Sequence, residues 1–334
     1  MTKKFFATKR GLAVLSALLL LTALCGVCFG STPMSAGTLL NALMGREGFE
    51  TQSFILYHVR LPRVLGGMLA GAGLSVAGAM LQGITGNSLA SPNILGINAG
   101  AGFCMMLLLA FFPQAASLSP LLCFLGAFAT AMLILFLSDR FVNARTGVLL
   151  AGIAVTAVFN AGITLLSLTD TDILISYRTF SVGGLDGIAD LRSLFLPALM
   201  IVISSVLCLV LSTKADVLCL GDAAATALGL HAKRMRVLCL ALAGACAAAV
   251  VSFAGLLGFI GLTVPHLARK LAGHTLRASL PVCILSGAIL LTLADLFGRI
   301  LLAPSELPVG AVTALIGAPF YVYLLMRRKT DASI

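Results

Sequence analysis

The sequence predicts an all-α membrane protein of about ten transmembrane helices with both termini in the cytoplasm. Three observations predict it: the composition, the recurrence of long apolar runs, and the placement of the basic residues. Of the 334 residues 60% are hydrophobic and 10% charged, and mean hydropathy is +1.09, whereas average soluble domains carry about 25% charged residues. One aqueous core could not hide that much apolar surface in a chain of this length, so the solvent is lipid.

Apolar runs of about 20 residues fall near 11–30, 64–82, 94–113, 119–138, 147–167, 193–212, 236–253, 255–272, 280–298 and 308–326. An even number of spans leaves both ends on one side, and the chain reads as one transmembrane domain over residues 1–334. The first run has the basic start and apolar middle of a secretory signal. It is long enough to span, and Leu24 before Cys25 does not suit a lipoprotein signal, so an uncleaved first helix is expected. The segment 64–101 is interrupted by Gly83, Gly86, Asn87 and Pro92. The run 255–272 carries Gly255, Gly258 and Gly261 and ends at Pro265-His266 and Arg269-Lys270. Each glycine inside a helix costs roughly 1 kcal/mol relative to alanine, but in a membrane bundle it lets neighbouring backbones approach. A moving or tightly packed helix is expected there.

Basic residues orient the bundle, because cytoplasmic loops are rich in Lys and Arg. The cytoplasmic set is Lys3, Lys4, Lys9, Arg10, Arg140, Arg145, Lys214, Lys233, Arg234, Arg236, Arg269, Lys270, Arg277, Arg327, Arg328 and Lys329. Of the 22 basic residues only Arg46, Arg60, Arg63, Arg178, Arg192 and Arg299 fall outside. Glu47, Glu50, Asp170, Asp172, Asp186, Asp190 and Glu306 lean outward too. The net charge of +10 is thus mostly a topology signal, with a contribution toward anionic lipid head groups. No basic run interleaved with aromatics occurs, and no nucleic-acid partner is expected.

Eight of the nine cysteines lie in apolar spans, where thiols behave as small hydrophobes, and Cys219 lies outside them. Cys25-x-x-Cys28 has no His or carboxylate nearby. His58, His231, His266 and His274 fall at span ends or in loops, so no metal cluster is expected.

Three places break the pattern. Arg60-Leu61-Pro62-Arg63 opens the second span, with Pro62 suited to a first helical turn. Its two arginines oppose both the positive-inside bias and the helix dipole. Arg299 ends the ninth span against the same bias. Such charges contact lipid phosphates or dock the carboxylates of an extracytoplasmic partner. The long cytoplasmic loop, near 213–236, contains Leu220-Gly221-Asp222-Ala223-Ala224-Ala225-Thr226-Ala227-Leu228-Gly229. This reads as a short helix with Asp222 as N-cap and Gly229 as stop. It either lies on the inner leaflet or inserts into a groove on another protein. Residues 82–96, from Gln82 through Asn87 and Pro92, mark irregular backbone, which must be buried in protein, line a cavity or reach water. It is a plain turn or a place beside a pathway.

Taken in order, the motifs form a series. They are Arg-Leu-Pro-Arg (60–63), Gly-Ala-Gly-Leu (71–74), Gln82 followed by Asn-Ser-Leu-Ala-Ser-Pro (87–92), and Leu-Gly-Asp (220–222) with Leu-Gly (228–229). Gly-Phe-Ile-Gly-Leu-Thr-Val-Pro-His (258–266), Ala294-Asp295, Arg299 and Glu-Leu-Pro-Val-Gly (306–310) complete it. The chain resembles, over nearly its whole length, the iron-chelate/haem/cobalamin type of ABC importer permease, a type II permease. Ser88 stands where the family has proline, Trp is absent, and His274-Thr275-Leu276-Arg277 is a loose form of the family's Asp-His-Arg.

The resemblance implies a bacterial inner membrane and a pair of permease subunits, identical or paralogous. It also implies two cytoplasmic ABC ATPases that use ATP and Mg, and an extracytoplasmic substrate-binding protein. Arg60, Arg63 and Arg299 would dock the binding protein. Leu220, Gly221, Asp222, Ala223, Ala227, Leu228 and Gly229 would couple to the ATPase. Gln82, Asn87, Gly258, Gly261 and Pro265 are the candidates for pathway or gating. The chain lacks Gly-x-x-x-x-Gly-Lys-Ser/Thr, so no nucleotide site, catalytic residue or bound cofactor is expected in it. The expected cargo is a ferric siderophore, then haem or cobalamin. An ion-coupled carrier would show ionisable residues at mid-membrane. Only Asp295 qualifies, and Arg299 four residues on would pair with it. An intramembrane enzyme would need converging polar side chains, which the spacing does not supply.

Overall fold

A computed structural model describes residues 5–32, 34–138, 144–168, 171–188 and 190–331. Lys3, Lys4, Arg140 and Asp170, read above as topology markers, lie outside the described residues. Within them the regular elements are helices. In chain order they are α1 (Lys9–Cys28), α2 (Ala36–Leu43), α3 (Glu50–Phe54), α4 (Leu61–Thr85), α5 (Ile97–Phe111), α6 (Ser119–Ser138) and α7 (Ala144–Ser167). There follow α8 (Thr171–Val182), α9 (Phe195–Cys219), α10 (Asp222–Ala227), α11 (Ala232–Ala254), α12 (Ile260–Ala272), α13 (Leu276–Leu301) and α14 (Val309–Asp331).

Each apolar run found in the sequence lands on a helix, but not all of them are full spans. Among the described residues seven helical segments are long and apolar enough to cross a bilayer, while 97–111 and 309–322 are shorter apolar helices. The run 255–272 is not one helix. Gly255 ends α11 with φ +66, Gly258 lies in the link, and α12 begins only at Ile260. Its 13 residues rise about 20 Å, short of the roughly 30 Å hydrocarbon thickness. Gly258 has open space around it, so close packing is not its reason. Helix α8, another short one, has no counterpart among the apolar runs.

The second span also starts earlier than its motif. Helical backbone runs from Glu50 through a wide π-turn at Ile55–Arg60 straight into α4. Pro62 therefore lies inside a continuous helix rather than in a first turn. Its ring leaves no room for the carbonyl four residues back, and the wide turn sits where that crowding falls.

Burial sorts the helices. Within the apolar window 78% of residues are buried for Glu50–Thr85, 72% for α11 and 61% for α13, against 22% for α1 and 28% for α9. The first group forms the interior and the second faces outward with Leu20, Leu24, Val202 and Val210 exposed, as lipid contact allows. At the centre α4 packs against α13, α11, α12 and α9. The close approaches are set by glycine. A Cβ on Gly71 would strike the Gly287 carbonyl of α13, and one on Gly78 would strike Gly261 of α12. The Leu285-Ser286-Gly287-Ala288 stretch is thus a helix-packing seam.

Replacing Gly78 by valine forces α4 and α12 apart, since backbone cannot yield as a flexible side chain would. A loss of about 1–3 kcal/mol or more is expected, read as a lower thermal midpoint of the detergent-solubilised protein.

Candidate functional site

Two polar assemblies stand at opposite ends of α13, one around Arg63 and one around α10. The first gathers the three arginines that broke the positive-inside pattern. None of them is displayed at the surface: Arg60 is 3%, Arg63 6% and Arg299 2% exposed. Arg60 closes the C-terminus of α1, donating to the Val27 and Cys28 carbonyls at 2.8 Å each and to Thr32 at 2.5 Å. The last carbonyls of a helix have no intrahelical donor and carry the negative end of its dipole, so a guanidinium suits them. Arg299 adds a longer bond to Phe29 at 3.4 Å. Arg60, which seemed to oppose the dipole of its own helix, therefore serves that of α1.

Arg63 spans two carboxylates. Its Nε lies 2.8 Å from Asp295 Oδ1 and its Nη1 2.5 Å from Glu306 Oε2. Arg299 Nε lies 3.0 Å from the other oxygen of Asp295. The expected Asp295–Arg299 pair is present, and Arg63 joins it from across the bundle. Two cations and two anions balance in a place where an unpaired charge would be costly. Glu306, in the connection between α13 and α14, is the member open to solvent, with 29% of its side chain exposed. Burial by itself would raise its carboxyl, but hydrogen bonds from Arg63 and Ser31 hold it below the ordinary glutamate range.

The second assembly holds the coupling candidates. Asp222 is the first residue of α10, not its N-cap: Gly221 takes the cap position with φ +121, a conformation that excludes most side chains there. This frees the Asp222 carboxylate to accept from Arg236 of α11, a partner the spacing did not reveal. Gly229 does stop the helix, with φ +78. Ala223 and Ala227 lie on α10, and Leu220 and Leu228 flank it with 70% and 67% of their surface exposed. Uncovered leucines on both sides of a short anchored helix leave an apolar face without a partner.

Among the pathway candidates, Gln82, Gly261 and Pro265 come together and Asn87 and Gly258 stand apart. Pro265 has no N–H, so the Gly261 carbonyl four residues back lacks its helical donor. The Gln82 side-chain amide donates to it at 3.3 Å, and to the Leu262 carbonyl at 3.3 Å. Arg269 in turn donates to the Gln82 oxygen. The proline signalled a free carbonyl in the sequence, but nothing there said that a residue of α4 would satisfy it. Asn87 instead closes a local turn, accepting from Leu89 N–H at 2.9 Å.

The fold and these sites define a polytopic membrane permease built around a buried central helix. The chain belongs to the FecCD transport family, which it matches over residues 18–327. It is 36% identical over 317 residues to the Fe(3+)-citrate import system permease protein YfmE of Bacillus subtilis, covering 93% of each chain. It is 34% identical over 331 residues to the hemin transport system permease protein HmuU of Yersinia pestis, covering 96% of this chain and 97% of the relative. A solved structure described as a metal-chelate type ABC transporter in an inward-facing conformation superposes with a TM-score of 0.85 at 30% identity, over 96% of this chain and 100% of that one.

Two outcomes are expected. Gln82→Leu strands the Gly261 carbonyl in a dry setting and lowers stability by about 1–3 kcal/mol, measured as a shift in denaturation midpoint. For Glu306→Gln the effect depends on pH. A depressed carboxyl stabilises the fold above its unfolded pKa, and that contribution is lost as pH falls through the folded value. The gap in thermal midpoint between the native chain and Glu306→Gln should therefore be full at neutral pH and close in acid. A gap that does not change with pH would count against the ion pair.

Proposed function

We propose that the chain is the transmembrane subunit of an ATP-driven importer for a ferric chelate, working as one of a pair of permease subunits. Family membership carries this reading, and the unpartnered α10 face supports it: Leu220 and Leu228 stand ready for an apolar groove. That groove belongs to a separate ATPase, two copies of which bind and hydrolyse ATP with Mg. ATP binding draws the α10 segments together and re-gates the helices, and a binding protein supplies cargo on the far side. Both termini then lie in the cytoplasm.

The docking role of Arg60, Arg63 and Arg299 takes a particular form. Arg63 is buried behind the part-exposed Glu306, so a carboxylate on the binding protein would have to displace Glu306 to reach it. Arg60 and Arg299 would act by holding that edge in place. Relatives named for ferric citrate and for hemin match at similar identity, which supports a ferric chelate as the class. A ferric siderophore is the first candidate, with haem next and cobalamin after it. Asp295, held between two arginines, is poorly suited to carry an ion in a coupled carrier.

The test is uptake by proteoliposomes containing the permease, its ATPase and its binding protein, offered ferric siderophore, ferric citrate, haem and cobalamin separately. ATP-dependent accumulation of one ligand is expected, and accumulation that needs an ion gradient but no ATP would overturn the reading. Leu220→Ser combined with Leu228→Ser should weaken ATPase association by roughly 1–3 kcal/mol, measured by co-purification and titration. Unchanged association would remove α10 from the interface.

A further inference from the structure

Helix α13 begins in an unusual way. Thr275 occupies its N-cap position in extended backbone (φ −74, ψ 140), yet its side chain makes no capping bond. The first N–H groups of a helix have no acceptor within it. Here two of them are met from a different helix: Asp216 Oδ1 accepts from Leu276 N–H at 2.6 Å, and Oδ2 from Arg277 N–H at 3.2 Å. Charged acceptors at a helix N-terminus make strong bonds.

Asp216 lies in the last turn of α9, just ahead of Leu220-Gly221 and α10. In the same turn Cys219 donates to the Gly83 carbonyl at 3.2 Å, and a Cβ on Gly83 would meet the Leu276 and Cys219 side chains at 3.0 and 3.2 Å. From this junction α13 runs the length of the bundle to Leu301, reaching Asp295 after about 28 Å and Arg299 after about 34 Å. There it is held by Arg63. One helix is thus fastened at one end to the segment that carries α10 and at the other to the Arg63–Glu306 cluster.

We propose that Asp216 is a positioning residue that transmits displacement of α10 to α13, and through α13 to the Asp295–Arg63–Glu306 cluster. The proposal rests on the reading of α10 as the ATPase contact. Its physical content is that α13 is gripped by a carboxylate on the moving segment while its own N-cap residue stays idle. A displacement of the end of α9 carries α13 along or breaks two charge-assisted bonds.

The experiment separates gripping from capping. Thr275→Asp places an acceptor on α13 itself, so Asp216→Ala combined with Thr275→Asp keeps the helix capped and removes the tie. The complete complex, with the ATPase that co-purifies with it, is reconstituted in nanodiscs. Spin labels replace exposed Phe297 on α13 and Val158 on α7, a helix outside the tied pair. They are introduced as encoded non-natural residues because the chain has nine cysteines. The inter-label distance is measured with and without ATP and Mg, alongside ATP hydrolysis.

The unsubstituted complex and Thr275→Asp should show a nucleotide-dependent shift. The double variant should assemble and hydrolyse ATP with that shift reduced roughly threefold or more. A full shift in the double variant would mean that Asp216 only caps, and the proposal falls. It falls equally if the unsubstituted complex hydrolyses ATP with α13 unmoved. Failure of the underlying reading looks different, because ATPase binding would then be indifferent to Leu220→Ser and Leu228→Ser. Should Asp216→Ala alone not assemble, the double variant still decides the question.

Discussion

Helices α4 and α13 lie backbone against backbone at Gly71 and Gly287, and the arrangement of the remaining helices depends on that contact. Between helices surrounded by lipid there is little hydrophobic drive to associate, so association rests on close packing and polar ties. Along α4 both kinds occur in sequence. Arg63 ties it to Asp295, Gly71 admits α13, Gly78 admits α12, and Gln82 satisfies a carbonyl of α12. A helix with a larger residue at either glycine could not sit at the centre, and α9 and α11 would lose the surface on which they pack.

Polar groups in this interior answer defects in the backbone. Arg60 meets the last carbonyls of α1, Gln82 meets the carbonyl that Pro265 leaves open, and Asp216 meets the first N–H groups of α13. In each case the group left without a partner lies on one helix and the side chain that satisfies it on another. Because each bond joins two helices, these bonds fix helix positions relative to one another. The Arg63, Arg299, Asp295 and Glu306 cluster does the same with charge. Its neutrality matters more than any one pair, because a buried ion pair stabilises little while a buried lone charge is costly.

These ties distribute rigidity unevenly. The interior helices are bound at both ends, whereas α10 is held by the Asp222–Arg236 pair and leaves its leucines uncovered. The short helix α12, entered through Phe259 with φ +63, is a strained link of the kind that concentrates at functional segments.

Much of the fold was legible because lipid imposes a length and composition on every spanning helix. The ten apolar runs and the stop at Gly229 follow from residue type alone. Where several helices were to lie was not legible: α8 is too short and too polar to register, and Gly255–Phe259 read as helix because its residues are apolar. The order of motifs along the chain determined the family, since each motif is local. Partnership was decided only by tertiary structure. Arg60 with α1, Arg63 with Asp295 and Glu306, Asp222 with Arg236 and Asp216 with α13 join residues whose separation in sequence carries no signal. The physical reason is that hydropathy and helix geometry act over a turn or two of chain. The buried charges and open backbone groups named above find their partners on other helices, far away in the chain.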